Sequence, residues 1–159
     1  MEDIKTMTVD ELFNLIVSVA EKRKADYLKD PLDKSLLISL SEDNEEFGVT
    51  LKVEEKKGII IVCGLITAIF PRSGSLDAAI ACCLVNNLLI DGCCEFCLND
   101  GSVNYRTSMP YIDAEINEKT IGSLIDMATN VLNDFNDRFV KLADGEMDLR
   151  EFKSLLDKK

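Results

Sequence analysis

Histidine and tryptophan are both missing from this sequence, and proline occurs only three times in 159 residues. Without histidine, the chain lacks the commonest general base, the commonest metal ligand and the usual pH switch near neutrality. The remaining polar residues form no convergent catalytic set. We therefore expect a protein that is not an enzyme and that holds no cofactor or metal.

Basic residues are also scarce. The chain carries 18 Lys+Arg against 29 Asp+Glu, a net charge of −11, with a pI of about 4.5. Nucleic acids and anionic membrane surfaces are bound through clustered Lys and Arg, and no basic stripe is present. The longest apolar run, Ile59 to Phe70, is shorter than the 20 or so residues of a membrane span. We expect neither nucleic acid nor membrane as a partner.

The composition is that of a soluble globular protein, with 47% apolar and 30% charged residues. The length fits a single domain over residues 1–159, with 143–159 as a short appended C-terminal helix. The first 30 residues lack the apolar region of a secretory signal, so we expect a cytoplasmic protein. In that compartment the six cysteines, at positions 63, 82, 83, 93, 94 and 97, are expected to be free thiols.

The apolar spacing predicts four elements in the first half of the chain. Residues 8–28 have helical periodicity and begin with the capping box Thr8–Glu11. Strands are predicted over 35–41 and 47–54, joined by a polar turn at 43–46. A third strand over 59–66 is apolar at both parities, which predicts burial on both faces.

The second half adds two strands and three helices. Ser75 is a candidate cap for a helix that ends near Asp91–Gly92 and that repeats large apolar residues at helical spacing: Leu76, Ala79, Ile80, Cys83, Leu84 and Leu88. Asp100–Gly101 predicts a hairpin turn. A long helix follows from Asn117 to about Leu142. A short one begins near Asp148, and Lys158–Lys159 suit the dipole at its end.

The resulting order is α-βββ-α-ββ-α-α, with short connections between most strands. This order predicts an α+β fold, in which helices pack on a mostly antiparallel, twisted sheet of about five strands. The first and third helices should cover one face of the sheet. The third strand then needs cover on its other face, either from the remaining helices or from another protein. That requirement predicts a homodimer with isologous contacts.

Two segments resemble metal sites only in part. Cys94 and Cys97 have the spacing of half a zinc or redox site, but residues three apart in a strand point to opposite faces. Residues 144–152 resemble the second half of a calcium loop, yet Val140 and Leu142 occupy the positions of its first acidic ligands.

One face of the predicted hairpin is a possible interaction surface. Glu95 and Arg106 are placed to face each other across it, either as a structural ion pair or as a ligand clamp. Cys93 and Cys97 share that face.

The segment from Leu76 to about Leu142 resembles the YbjN family, whose members are described as candidate bacterial sensory transduction regulators. The resemblance rests on Val85-Asn86-Asn87-Leu88, Phe96-x-Leu98, the Asp100–Gly101 turn, the run from Val103 to Pro110, and Asp137-Arg138-Phe139 near the end of a long helix. It implies a fold like that of the type III secretion chaperones and no catalytic residues. The cysteine content and the helix after Asp144 depart from that family.

Together these features predict a cytosolic, non-enzymatic binding or regulatory protein, chaperone- or adaptor-like, that acts through protein–protein contacts. The partner is not identified by the sequence. The alternative is a sensor domain for a small ligand or a metal, which would need a pocket with convergent polar groups.

Overall fold

The structure is a computed structural model that describes residues 7–42 and 45–157. The helices are α1 (Val9–Lys22), α2 (Ser75–Asn86), α3 (Glu118–Ala143) and α4 (Leu149–Leu156). The strands are β1 (Asp26–Asp30), β2 (Ser35–Glu42), β3 (Glu45–Glu54), β4 (Ile59–Ile69), β5 (Cys93–Phe96) and β6 (Ser102–Pro110). The core of the predicted turn at 43–46, residues 43 and 44, and the predicted Lys158–Lys159 helix end lie outside the described residues.

The strands form one antiparallel sheet in the order β1-β2-β3-β4-β6-β5. The α+β class and the antiparallel sheet are confirmed. The strand count needs a correction, because the described sheet has six strands and the element order is α-ββββ-α-ββ-α-α.

The additional strand is β1, in a segment for which the apolar spacing predicted helix. α1 ends at Lys22, and Lys24 adopts the left-handed conformation with φ 53°, which redirects the chain into β1. Every residue of β1 except Tyr27 is exposed, so its sequence carries little of the apolar alternation that marks a strand. An edge strand of this charged kind is hard to recognise from sequence.

The helices form one layer against one face of the sheet. α1 contacts β1, β2 and β3, α3 runs across β3, β4 and β6, and α2 packs on β5. α1, α2 and α4 each also contact α3, which places the four helices on the same side. The closest approach is at Gly64 of β4, where an added Cβ would lie 3.2 Å from Leu132 Cγ. The prediction that the first and third helices share a face is confirmed.

Charged contacts fix the crossing of α1 over α3. The Arg23 guanidinium donates to both Asp126 carboxylate oxygens, at 2.6 and 3.1 Å, and to the Gly122 carbonyl at 3.1 Å. Gly122 allows this approach, since an added Cβ would lie 2.9 Å from Arg23 Nη2. Lys22 and Glu118 form a second ion pair beside it.

The C-terminal helix is predicted correctly. The Asp148 side chain accepts from the backbone N–H groups of Arg150 and Glu151, and the Glu151 carboxylate accepts from the Asp148 N–H at 3.0 Å. This capping box starts α4 at the residue that the sequence indicated. Phe152 then lies edge-on to Phe139 of α3, with ring centroids 5.3 Å apart, and anchors α4 to the core.

Asn136 of α3 is the one polar residue among those described that is buried in the core. The β4–β6 register shifts between Ile66 and Ile69, which frees the Thr67 N–H from the ladder. Asn136 Oδ1 accepts from that N–H at 2.8 Å and from Thr67 Oγ1 at 3.0 Å. The side chain therefore satisfies a backbone donor that the bulge leaves unpaired.

We expect Asn136→Ala to lower the free energy of unfolding by about 1–3 kcal/mol, because it leaves the Thr67 N–H without an acceptor. Urea titration followed by circular dichroism measures the change. Asn130→Ala is the control, since Asn130 is exposed on the same helix. Equal midpoints for the two variants would contradict this role of Asn136.

Candidate protein-interaction surfaces

The two sides of α2 are both apolar, and the side with the larger residues faces outward. Its buried side consists of Ala78, Ala81, Cys82 and Val85, which are small or medium-sized and pack close to β5. On the other side Leu76 is 69% exposed and Ile80 37%, and Leu88, two residues beyond the end of the helix, is 48% exposed. We call these three residues, with the exposed Ala79 and Cys83, the α2 stripe. The large apolar repeat of the sequence thus lies mostly on the surface.

Charge is nearly absent from this part of the chain. Residues 73–90 contain a single ionisable side chain other than cysteine, Asp77, in a protein that is 30% charged. Leu98, which is 76% exposed, lines a mostly polar depression of about 340 Å³ together with Ser75 at the start of α2 and with Arg72 and Asp100. A helix side that exposes large apolar residues and carries almost no charge is typical of an interaction site.

The ends of α2 differ from those the sequence predicted. The helix begins at Ser75 with Gly74 as its N-cap and no side-chain capping bond, so the predicted cap at Ser75 is wrong. It ends at Asn86, short of Asp91–Gly92. Asn86 then turns its side chain onto the outer edge of β5, where it donates to the Cys94 carbonyl at 3.1 Å and accepts from the Cys94 N–H at 2.6 Å.

The second surface is the face of the sheet that points away from the helices. Cross-strand partners share a face, so the register identifies its rows. One row runs Leu28–Leu37–Thr50–Cys63–Arg106–Cys93, the next Ser39–Gly48–Leu65–Asn104–Glu95, and a third Asp30–Ser35–Lys52–Ile61–Ser108. Together with Asp26 and Glu54 we call these residues the open face. None of the described helices covers it.

The centre of the open face is apolar. Leu37 and Leu65 both lie over Gly48, where an added Cβ would come within 3.5 and 2.9 Å of their Cδ1 atoms. Leu65 is 41% exposed and Ile61 is half-buried. The expectation that β4 is buried on both faces is therefore wrong for the described chain. From Ile59 to Ile66, before the bulge, the even-numbered residues are buried on the helix side and the odd-numbered ones lie on the open face.

The predicted hairpin surface forms one corner of the open face. Arg106 donates from Nε to Glu95 Oε1 at 2.9 Å and also pairs with it through Nη2, and this contact lowers the pKa of Glu95. Cys93 lies in register with Arg106, with its Sγ 3.9 Å from Glu95 Oε1. Cys97 is separate from the strand, in the turn, where its N–H donates to the Ser102 carbonyl at 2.9 Å. The structure brings the first three residues together and leaves Cys97 at the end of the hairpin.

The two buried thiols, Cys82 and Cys94, have low reactivity. Burial raises the pKa of Cys82, on α2, and of Cys94, on β5, from 9.0 to about 12. Nucleophilic and metal-binding cysteines need the thiolate, which is strongly disfavoured at both positions. Among the described residues no group of three or more His, Cys, Asp or Glu is arranged to hold a metal ion.

The described helices include none with the length and apolarity that crossing a lipid bilayer requires. A groove of about 580 Å³ lies between α1 and α3, but four of its five charged residues pair with each other, Lys22 with Glu118 and Arg23 with Asp126, and the fifth is Lys119. It offers little that is free to orient a polar ligand.

Several solved structures share this fold. YbjN, a proposed transcription regulator from E. coli, superposes with a TM-score of 0.61 at 8% identity, over 90% of this chain and 96% of YbjN. A chain of the HopA1–SchA chaperone–effector complex gives 0.56 at 13% identity, over 82% and 98% of the two chains. A chain of the ExsC–ExsE complex gives 0.51 at 16% identity, over 79% and 93%.

The chain thus has a fold like that of YbjN and of type III secretion chaperones, as the sequence predicted. No protein-family model and no curated protein sequence matches it. At these identities the likeness establishes the fold alone.

The buried thiols should make stability depend on alkaline pH. Their pKa is higher in the folded chain than in the unfolded one, so their contribution is complete below pH 9 and is lost as pH rises from about 9 towards 12. Cys82→Ala removes one such thiol. We therefore expect the difference in unfolding free energy between wild type and Cys82→Ala to shrink between pH 8 and pH 10.

Urea titrations of both proteins at the two pH values measure this difference, with Cys83→Ala as the control because Cys83 is exposed. A difference that stays constant with pH would mean that the folded chain does not hold Cys82 as a thiol.

Proposed function

We propose that this protein is a cytosolic, non-enzymatic binding protein, chaperone- or adaptor-like, that works as a homodimer joined through the α2 stripe. The observation that carries the proposal is the outward display of Leu76 and Ile80 on α2, a helix with a single charged residue, together with the exposed Leu88 just beyond its end. The likeness to chains from chaperone–effector complexes supports a protein-binding role.

Charge favours this site for self-association. Two copies that each carry −11 repel each other, and the repulsion is smallest where the contact surface is itself uncharged. Antiparallel packing of two α2 helices about a two-fold axis would place Ile80 near the centre and each Asp77 near the far end of the partner helix. The N-terminal end of each helix dipole would then lie beside the C-terminal end of the other, which is favourable.

The helix alone is too short to hold a stable dimer. Its 12 residues span about 18 Å, whereas stable interfaces bury about 800 Å² on each partner. Leu98, which lines a depression together with Ser75, supplies further apolar area at the N-terminal end of α2. The interface we propose therefore includes the β5–β6 turn as well as the helix.

Sedimentation equilibrium tests the dimer. We expect wild type to be dimeric at micromolar concentrations and Ile80→Asp to be monomeric. An isologous interface loses each contact twice, so a cost of about 1–2 kcal/mol per side raises the Kd about 30- to 700-fold. Ile112→Asp is the control, because Ile112 is 49% exposed and lies beside Gly58, away from α2.

The outcome that refutes the proposed interface is equal Kd values for Ile80→Asp and Ile112→Asp. A wild-type protein that remains monomeric over the whole concentration range would refute the homodimer itself.

Salt dependence gives an independent test. Because the proposed contact is apolar and the two chains repel each other, added NaCl screens the repulsion and should tighten the dimer. The Kd is measured at low and high NaCl by the same sedimentation method. Weakening of the dimer by salt would instead indicate an interface made of ion pairs.

A further inference from the structure

The open face differs from the α2 stripe in its charge. Arg106 on it is neutralised by Glu95, but Lys52 is surrounded by acids. Asp33 Oδ1 accepts from the Lys52 ammonium at 2.5 Å, and Glu54 and Asp30 act on it through space, so that together they raise the pKa of Lys52. Three carboxylates thus surround one cation, and we call these four residues the acidic margin.

The acidic margin adjoins the apolar centre of the open face. Lys52 is the cross-strand neighbour of Ile61, and Leu65 lies four residues further along β4. Leu37 on β2 packs over Gly48 beside Leu65. Ile61 thus lies one strand spacing, roughly 5 Å, from Lys52, and Leu65 lies roughly 13 Å further along β4. A ligand in an extended conformation meets both the aliphatic side chains and the net negative charge.

We infer that the open face binds a protein partner whose contact segment combines aliphatic side chains with lysine or arginine. The inference rests on the proposed function, since it identifies the chemistry of the client that the dimer would carry. Apolar side chains of the segment would pack on Leu37, Ile61 and Leu65, and its cations would pair with the carboxylates that Lys52 leaves uncompensated.

Charge complementarity selects this occupant over the alternatives. The open face of a second copy would bring the same net negative charge against this one, and the repulsion costs energy wherever salt does not screen it. Nucleic acids and anionic membranes carry the sign of charge that the acidic margin repels. The face is an open sheet surface, so it does not enclose a small molecule as ligand pockets do.

Selection from a phage-displayed library of random peptides tests the inference with wild-type protein as bait. We expect the recovered peptides to be enriched in Lys or Arg together with Leu, Ile or Phe, and their affinity to fall as NaCl is raised. Fluorescence polarisation of a labelled selected peptide then gives the Kd. Leu65→Asp should weaken binding about tenfold, which is the effect of losing one central apolar contact.

Two further variants separate the contribution of charge to peptide binding from that of apolar contact. Glu54→Gln removes one carboxylate of the acidic margin, and should weaken a basic peptide while reducing the dependence of its Kd on salt. Ile112→Asp adds a similar charge outside both surfaces and should leave the Kd unchanged. Circular dichroism and the urea midpoint establish that each variant is folded.

Recovery of acidic peptides, or of none, would overturn the inference, as would equal affinities for Leu65→Asp and Ile112→Asp. These results are independent of the dimer. If Ile80→Asp dissociates the dimer but no basic, apolar peptide is recovered, the proposed dimer stands and the open face has another role. If peptides bind the open face of a monomeric wild type, the client surface stands without the dimer.

Discussion

The packing of α3 across β4 is the contact on which the rest of the structure depends. β4 is the strand with neighbours β3 and β6 in the middle of the sheet, and Gly64 lets Leu132 of α3 approach its backbone closely. With α3 packed along β4, α1 lies on one side of α3, and α2 and α4 lie on the other. All four helices of the described residues then lie in a single layer, and none of them covers the second face of the sheet.

That arrangement explains the continuous apolar run in β4 without placing both of its faces in the core. The residues that face α3 are buried because they fill the space under the helix, while Ile61, Cys63 and Leu65 stay aliphatic or thiol-bearing on the open face. A strand can therefore be apolar at both parities while only one of its two sides packs within the chain. A strand buried on both faces and a strand buried on one face can have the same apolar pattern. The pattern therefore predicted more burial of β4 than the structure has.

Periodicity predicted most of the elements where one face is clearly apolar. α3 was found within a residue at each end, and the β5–β6 hairpin was located from Asp100–Gly101, whose glycine has φ 76° and lies against the Phe70 carbonyl.

β1 was missed because an exposed edge strand has almost no apolar alternation. The orientation of α2 could not be deduced either, because small residues on one side and large ones on the other are equally apolar, and only contact with β5 decides which side is inside. Glu95, Arg106 and Cys93 were grouped correctly by strand parity, whereas the acidic margin depends on the β1–β2–β3 register, which sequence alone does not supply.

The side-chain amide of Asn86 makes the two edges of the sheet different. By hydrogen-bonding the Cys94 N–H and carbonyl, it occupies the places that a seventh strand would use, so the β5 end of the sheet is closed to further pairing. The β1 end is the remaining edge. With the β5 edge blocked at Cys94, a copy that pairs through its strands has only β1 to offer. Edge-to-edge pairing by itself would then join two copies through their β1 strands and would not continue.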